Sequence, residues 1–272
     1  MSRIAERLAE RRESGRLALI PYITAGYPDV ETTVELAVAL ADAGADLLEL
    51  GIPFSDPLAD GVTIQRASFA ALEAGVTPRT CLEIARRIRA RSDLPLLFMG
   101  YYNPFLHYGL DAFAEDSASA GVDGLIVPDL PPEEAGELRS ALRARGLDLI
   151  HLLAPTSTDE RIGLVARAAS GFVYCASLAG VTGARSELSA GLPAFLARVR
   201  QQTDLPLCVG FGISRPEHVA ALVGVADGAI VGSALVALIE SLAPEERVSG
   251  AASYLAELRK AADGATPVRP LS

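Results

Sequence analysis

The stretch Val30-Glu31-Thr32-Thr33-Val34-Glu35-Leu36-Ala37-Val38-Ala39-Leu40-Ala41-Asp42-Ala43-Gly44-Ala45-Asp46-Leu47-Leu48-Glu49-Leu50 decides the fold. Asp29, just before it, is a helix-capping residue type. Apolar residues then recur at helical spacing through residue 43. Gly44 stands where such a helix should stop. Residues 46–50 form a short, leucine-rich run that reads as a strand. One helix followed by one apolar strand is half of a parallel βαβ unit.

The same unit recurs in both directions along the chain. Strands are expected at residues 19–24, 46–50, 95–100, 124–127, 148–152, 172–176, 207–210 and 229–231. Helices are expected at 30–43, 80–91, 110–120, 133–145, 159–169, 193–202 and 216–223. Gly121 and Gly146 mark further helix stops. Ser214-Arg215-Pro216-Glu217 offers an N-cap, a first-turn proline and a capping-box acid. Turns at 43–46, 120–123 and 225–228 echo one another. Apolar strands separated by helices are covered on both faces, and eight of them predict a closed (β/α)8 TIM barrel. An open doubly wound sheet is the alternative; the missing Gly-rich dinucleotide fingerprint after the first strand weighs against it. Residues 1–15 read as a short amphipathic helix without a signal-peptide core. No linker or second-domain boundary is visible, so residues 1–272 are expected to form one domain.

Composition narrows the function. The chain has 24 Lys+Arg against 34 Asp+Glu, a formal net charge of −10, and lacks a basic tract, which disfavours nucleic-acid binding. With 50% hydrophobic residues it has ample core material. The most apolar run, 228–239, is too short to span a bilayer. Cys81, Cys175 and Cys208 have neither zinc nor redox spacing, so a disulfide framework is not expected, and a soluble cytoplasmic protein is.

Two connections are long: 53–77, with its own helical piece at 62–74, and 178–192. They follow the second and sixth strands, at the barrel end where active sites are built. Glu49, between Leu48 and Leu50, points opposite to them. If the leucines face the helices, Glu49 faces the barrel mouth, where partial desolvation would raise its proton affinity. A structural carboxylate paired with an arginine is the competing reading. Asp56 and Asp60 lie in the next loop, where aspartates also cap turns.

Absences narrow the chemistry further. The only lysine, Lys260, lies beyond the eighth strand, which disfavours imine catalysis and a covalently held pyridoxal cofactor. His107, His151 and His218 lack paired ligand spacing, so no metal site is expected, and His151 reads as a packed or pocket-edge histidine. Ser177 lacks a nucleophile-elbow setting. Cofactor-free acid/base chemistry by carboxylates survives. Gly210-Phe211-Gly212, Gly232-Ser233 and the Gly180–Gly183 pair suggest a phosphate seat, although tight βα turns also use glycine.

The stretch Leu48-Glu49-Leu50-Gly51-Ile52-Pro53-Phe54-Ser55-Asp56-Pro57-Leu58-Ala59-Asp60-Gly61 resembles the signature of the tryptophan synthase alpha chain family. Tyr102-Asn103-Pro104, Val127-Pro128-Asp129, Gly180-Val181-Thr182-Gly183, Gly210-Phe211-Gly212-Ile213 and Gly232-Ser233 extend the likeness over nearly the whole chain. The resemblance implies reversible retro-aldol cleavage of indole-3-glycerol phosphate to indole and glyceraldehyde 3-phosphate. It implies that Glu49 is the acid/base and that Asp60 holds the indole N–H and steadies the developing cation. Tyr174 would line the site, Thr182 would bridge toward Asp60, and Gly183, Gly212, Gly232 and Ser233 would hold the phosphate. Tyr22, Met99, Tyr101, Ile126 and Phe211 would wall the indole. The resemblance further implies an alpha2beta2 assembly in which the beta chain, not this one, carries pyridoxal phosphate and receives the indole, with the 53–57 loop at the contact. Leu178 stands where many relatives carry arginine, and Tyr22 adds a hydroxyl that needs a partner. A non-enzymatic activator of the beta chain and a phosphosugar isomerase are the competing functions.

Overall fold

In a computed structural model, residues 2–177, 191–210 and 212–264 are described. The expectations for Leu178, Thr182, Gly183, Phe211 and the long sixth loop fall outside those residues. Eight parallel strands close into a barrel in sequence order: β1 (Ala18–Thr24), β2 (Leu48–Gly51), β3 (Leu96–Met99), β4 (Gly124–Ile126), β5 (Asp148–Leu153), β6 (Val173–Ala176), β7 (Leu207–Gly210) and β8 (Gly228–Val231). The closing pair is β1 with β8, where Ile20 meets Ile230. The helices are α1 (Arg3–Glu13), α2 (Val30–Asp42), α3 (Val62–Glu73), α4 (Pro78–Arg89), α5 (Tyr102–Tyr108), α6 (Leu110–Ser119), α7 (Gly136–Arg143), α8 (Asp159–Ala168), α9 (Leu192–Arg200), α10 (Pro216–Ala220), α11 (Ser233–Ser241) and α12 (Arg247–Gly264).

Strand alternation sorts the core into two layers. Outward residues such as Leu48, Leu50, Phe98 and Leu125 pack under the helices. Inward residues such as Ile20, Leu97, Ile126, Ile150 and Phe172 fill the barrel. Ile4 and Leu8 of α1 join that inner cluster, so the first helix plugs one end.

The helix starts were legible only in part. Asp29 caps α2 by accepting the Thr32 N–H at 2.7 Å. Ser214 does not cap α10: Arg215 is the cap residue, while Ser214 contacts the His218 imidazole and accepts the Tyr254 hydroxyl at its carbonyl. The expected helix at 133–145 begins only at Gly136, after a turn in which the Glu134 N–H reaches the Pro131 carbonyl.

The echoed turns build the amino-terminal floor of the barrel. Gly44, Gly121, Gly146 and Gly224 all have positive φ, and each precedes an aspartate at or before the next strand. Asp46, Asp123 and Asp227 accept the N–H groups of Leu19, Leu96 and Leu207 on neighbouring strands. Arg259, Arg89 and Arg200 respectively pair with them. Asp148 departs from the pattern and takes the Ser2 hydroxyl instead.

Candidate active site

The opposite end of the barrel is built differently. Leu48 and Leu50 face the helices, and Glu49 points into the barrel, 1% exposed. Among the described residues its Oε1 has no hydrogen-bond partner. Burial alone pushes the Glu49 carboxyl up to about 8, because removing an anion from water without a counter-charge favours the protonated form.

Two tyrosines flank it. Tyr22 sits opposite Glu49 in the β1–β2 register, and Tyr174 projects inward from β6. Each ring lies over a glycine at a strand end. A Cβ at Gly51 would collide with the Tyr22 hydroxyl, and one at Gly210 with that of Tyr174. These glycines are therefore required for close approach, whatever their role in turns. The extra hydroxyl of Tyr22 meets Thr24 Oγ1 at 3.4 Å.

Asp60 comes from the loop after β2, and α3 ties that loop down. Ser68 Oγ accepts the Phe54 N–H and donates to the Phe54 carbonyl. Gln65 donates to the Asp60 carbonyl at 2.9 Å. The Tyr101 hydroxyl accepts the Ala59 N–H at 2.9 Å and lies close enough to the Asp60 carboxylate to favour its ionised form. Its ring stacks on Phe54 with centroids 5.1 Å apart. Burial raises the Asp60 carboxyl to about 6, with the Tyr101 hydroxyl opposing the rise. Asp56 is exposed and takes the Ser55 hydroxyl, a local turn contact.

A cavity of about 100 Å³ joins Tyr22, Glu49, Asp60, Met99, Tyr174, Gly212, Gly232 and Ser233. Thus eight of the expected site residues share one space. Two expected wall residues do not line it. Tyr101 acts on Asp60 from behind, and Ile126 packs in the inner core with Leu97 and Ile150. Gly61, Ile64, Ile213 and Ile230 line the cavity without having been anticipated. Ile230 was readable from inward alternation along β8, and Ile64 from its place in the first turn after Asp60.

Across the cavity, Gly232 is the N-cap of α11, and no side chain caps that helix. The Leu235 N–H turns back to the Gly232 carbonyl, and the positive dipole end lies beside Ser233, where an anion is favoured. Gly212 has φ +82, a conformation that suits glycine. Among the described residues no arginine or lysine lines the cavity.

A family model for the tryptophan synthase alpha chain matches residues 8–265. The chain belongs to that family. It is 58% identical to the tryptophan synthase alpha chain of Chloroflexus aggregans over 264 residues, covering 97% of this chain and 99% of the other. Identity to the Roseiflexus alpha chain is also 58%, over 95% of this chain and all of that one. Among solved structures, a tryptophan synthase chain from Mycobacterium tuberculosis superposes with a TM-score of 0.89 at 42% identity, covering 96% of this chain and 98% of that one. A Legionella pneumophila alpha chain gives a TM-score of 0.89 at 38% identity, with both chains covered in full. Family membership makes this chain the alpha subunit of a lyase that works with a beta chain; the family's reaction is cleavage of indole-3-glycerol phosphate in tryptophan biosynthesis. Among the described residues no helix is long and apolar enough to cross a membrane.

Proposed function

We propose that Glu49 and Asp60 divide the work of a cofactor-free retro-aldol cleavage. The observation that carries this reading is the separation of two carboxyls facing one cavity, Glu49 raised to about 8 and Asp60 to about 6. At neutral pH Glu49 holds a proton while Asp60 is largely ionised. Unlike environments of this kind divide acid from anion.

Glu49 gives its proton to the indole carbon that bears the glycerol phosphate chain. The ring becomes a cation, and its N–H donates to the Asp60 carboxylate. In a buried site that attraction is stronger than in water. The Glu49 carboxylate then takes the proton of the adjacent side-chain hydroxyl. The carbon–carbon bond breaks, its electron pair returns to the ring, and the oxygen becomes the aldehyde of glyceraldehyde 3-phosphate. Indole leaves, and Glu49 is protonated again. Tyr22, Met99 and Tyr174 hold the bicyclic ring, while Gly212, Gly232 and Ser233 hold the phosphate at the α11 N-terminus. Thr182, Gly183 and Phe211 complete this reading.

The partner face is the barrel mouth. Leu58 is 94% exposed in the loop that carries Asp60, and Leu106 of α5 is 52% exposed. These two exposed leucines, one on the loop that carries Asp60 and one on α5, support seating a partner at this end. A beta chain seated on Leu58 would steady Asp60 through the Ala59–Tyr101 bond. The assembly is alpha2beta2 in the cytoplasm, and pyridoxal phosphate belongs to the beta chain. Adding indole-3-glycerol phosphate to the purified chain, with and without a beta chain, tests the reading. Free indole is the expected product in both, and no indole in either refutes it.

A further inference from the structure

We propose that the groove between α7 and α8 is a second anion site, suited to a small phosphate-bearing molecule and separate from the barrel mouth. The groove has a volume of about 650 Å³, within the size range of small-molecule sites. Arg139, Arg143 and Arg167 line it. Arg139 and Arg143 stand one turn apart on α7 and share a face. Arg167 comes from the last turn of α8.

Among the described residues, none of these three arginines makes an ion pair or side-chain hydrogen bond. Their neighbours do. Arg145 pairs with Asp111 and Glu115, Arg161 with Glu133 and Arg198 with Asp159. In a chain of net charge −10, guanidiniums readily find carboxylates, so three left over in one groove concentrate positive potential there. The groove's own acids cancel it only in part. Glu133 is paired with Arg161, and Asp148 keeps its charge while taking the Ser2 hydroxyl, so three arginines face one carboxylate that has no ion pair among the described residues.

An independent observation comes from the strand behind. Leu149 lines the groove. His151, two residues along the same outward face of β5, is 3% exposed, and among the described residues its Nε2 has no hydrogen-bond partner. Burial, then the charges of Arg139 and Arg161, push the imidazole down to about 4, with Glu133 opposing. The late start of α7 leaves this flank open. Guanidinium forks match the tetrahedral oxygens of a phosphate, and several of them favour a multiply charged one over a single carboxylate.

Inorganic pyrophosphate titrated into the full chain, with the His151 ring followed by NMR, tests this. The expected result is a saturable shift of the His151 signals. Its midpoint rises at least about tenfold in Arg139→Ala/Arg143→Ala and in Arg167→Ala, as the loss of charge-assisted bonds requires, while indole formation by those variants stays at the wild-type rate. The proposal is overturned if His151 does not respond, if sodium chloride at matched ionic strength reproduces the shift, or if both variants titrate like the wild type.

Discussion

Asp46 and Glu49 lie three residues apart in the chain and at opposite ends of the barrel. Asp46 accepts the Leu19 N–H at 2.9 Å and meets Arg259 at 2.8 Å and Arg11 at 3.5 Å. Among the described residues Glu49 has an oxygen with no hydrogen-bond partner and makes no ion pair. Both are buried, and burial raises both carboxyls. At Asp46 the backbone N–H and the guanidiniums of Arg11, Arg259 and Arg7 pull back; at Glu49 only burial acts. Similar chemistry thus serves two ends. A compensated carboxylate staples strands, and an uncompensated one keeps a proton available for transfer.

The contrast breaks most directly at Glu49. Glu49→Gln keeps the shape and removes the exchangeable proton, so indole formation should fall about 10³–10⁴-fold while circular dichroism stays unchanged. Near-normal turnover would mean that another group moves the proton. The floor should answer in the reverse sense. Asp46→Ala strands Arg259 and the Leu19 N–H, and should cost about 3 kcal/mol in urea unfolding while leaving kcat within about twofold. A large activity loss at unchanged stability would erase the distinction between the two ends. Asp60→Asn should reduce kcat about 10²-fold by removing the anion opposite the indole cation.

Stability against pH sharpens the comparison. Folding raises the Glu49 carboxyl from 4.5 to about 8, so the folded chain binds that proton more tightly than the unfolded one. Its contribution is complete below about 4.5 and is lost as pH rises through about 8. Glu49→Gln should therefore gain stability relative to wild type across that window, by up to about 5 kcal/mol; parallel unfolding curves at all pH values would deny the shift. The smallest effect belongs to Tyr101→Phe. Losing the hydroxyl that lowers Asp60 should move the acidic limb of the kcat/KM profile from near 6 to higher pH by about half a unit to one unit.

Much of the contrast was readable from residues alone. Strand positions followed from apolar runs bounded by glycines such as Gly44 and Gly121, and the inward aim of Glu49 from its place between Leu48 and Leu50. The floor was not readable in the same way. Its aspartates recur in similar turns, but their arginines arrive from far along the chain, as Arg259 does for Asp46. Local propensity also misplaced Ser214, because His218 and Tyr254 compete for it. Helix α5 was not among the expected helices: an Asn-Pro pair is common in turns, yet a proline is tolerated in a first helical turn. Tyr101 was expected to wall the indole; its hydrogen bond to the Asp60 loop depends on how β3 and that loop meet in space.

The most direct test is the titration of Glu49 itself by infrared difference spectroscopy, wild type against Glu49→Gln. A protonated carboxyl band present at pH 7, absent from the variant and fading through about pH 8, is the predicted result. Ionisation of Glu49 near 4.5, in the ordinary carboxylate range, would contradict it.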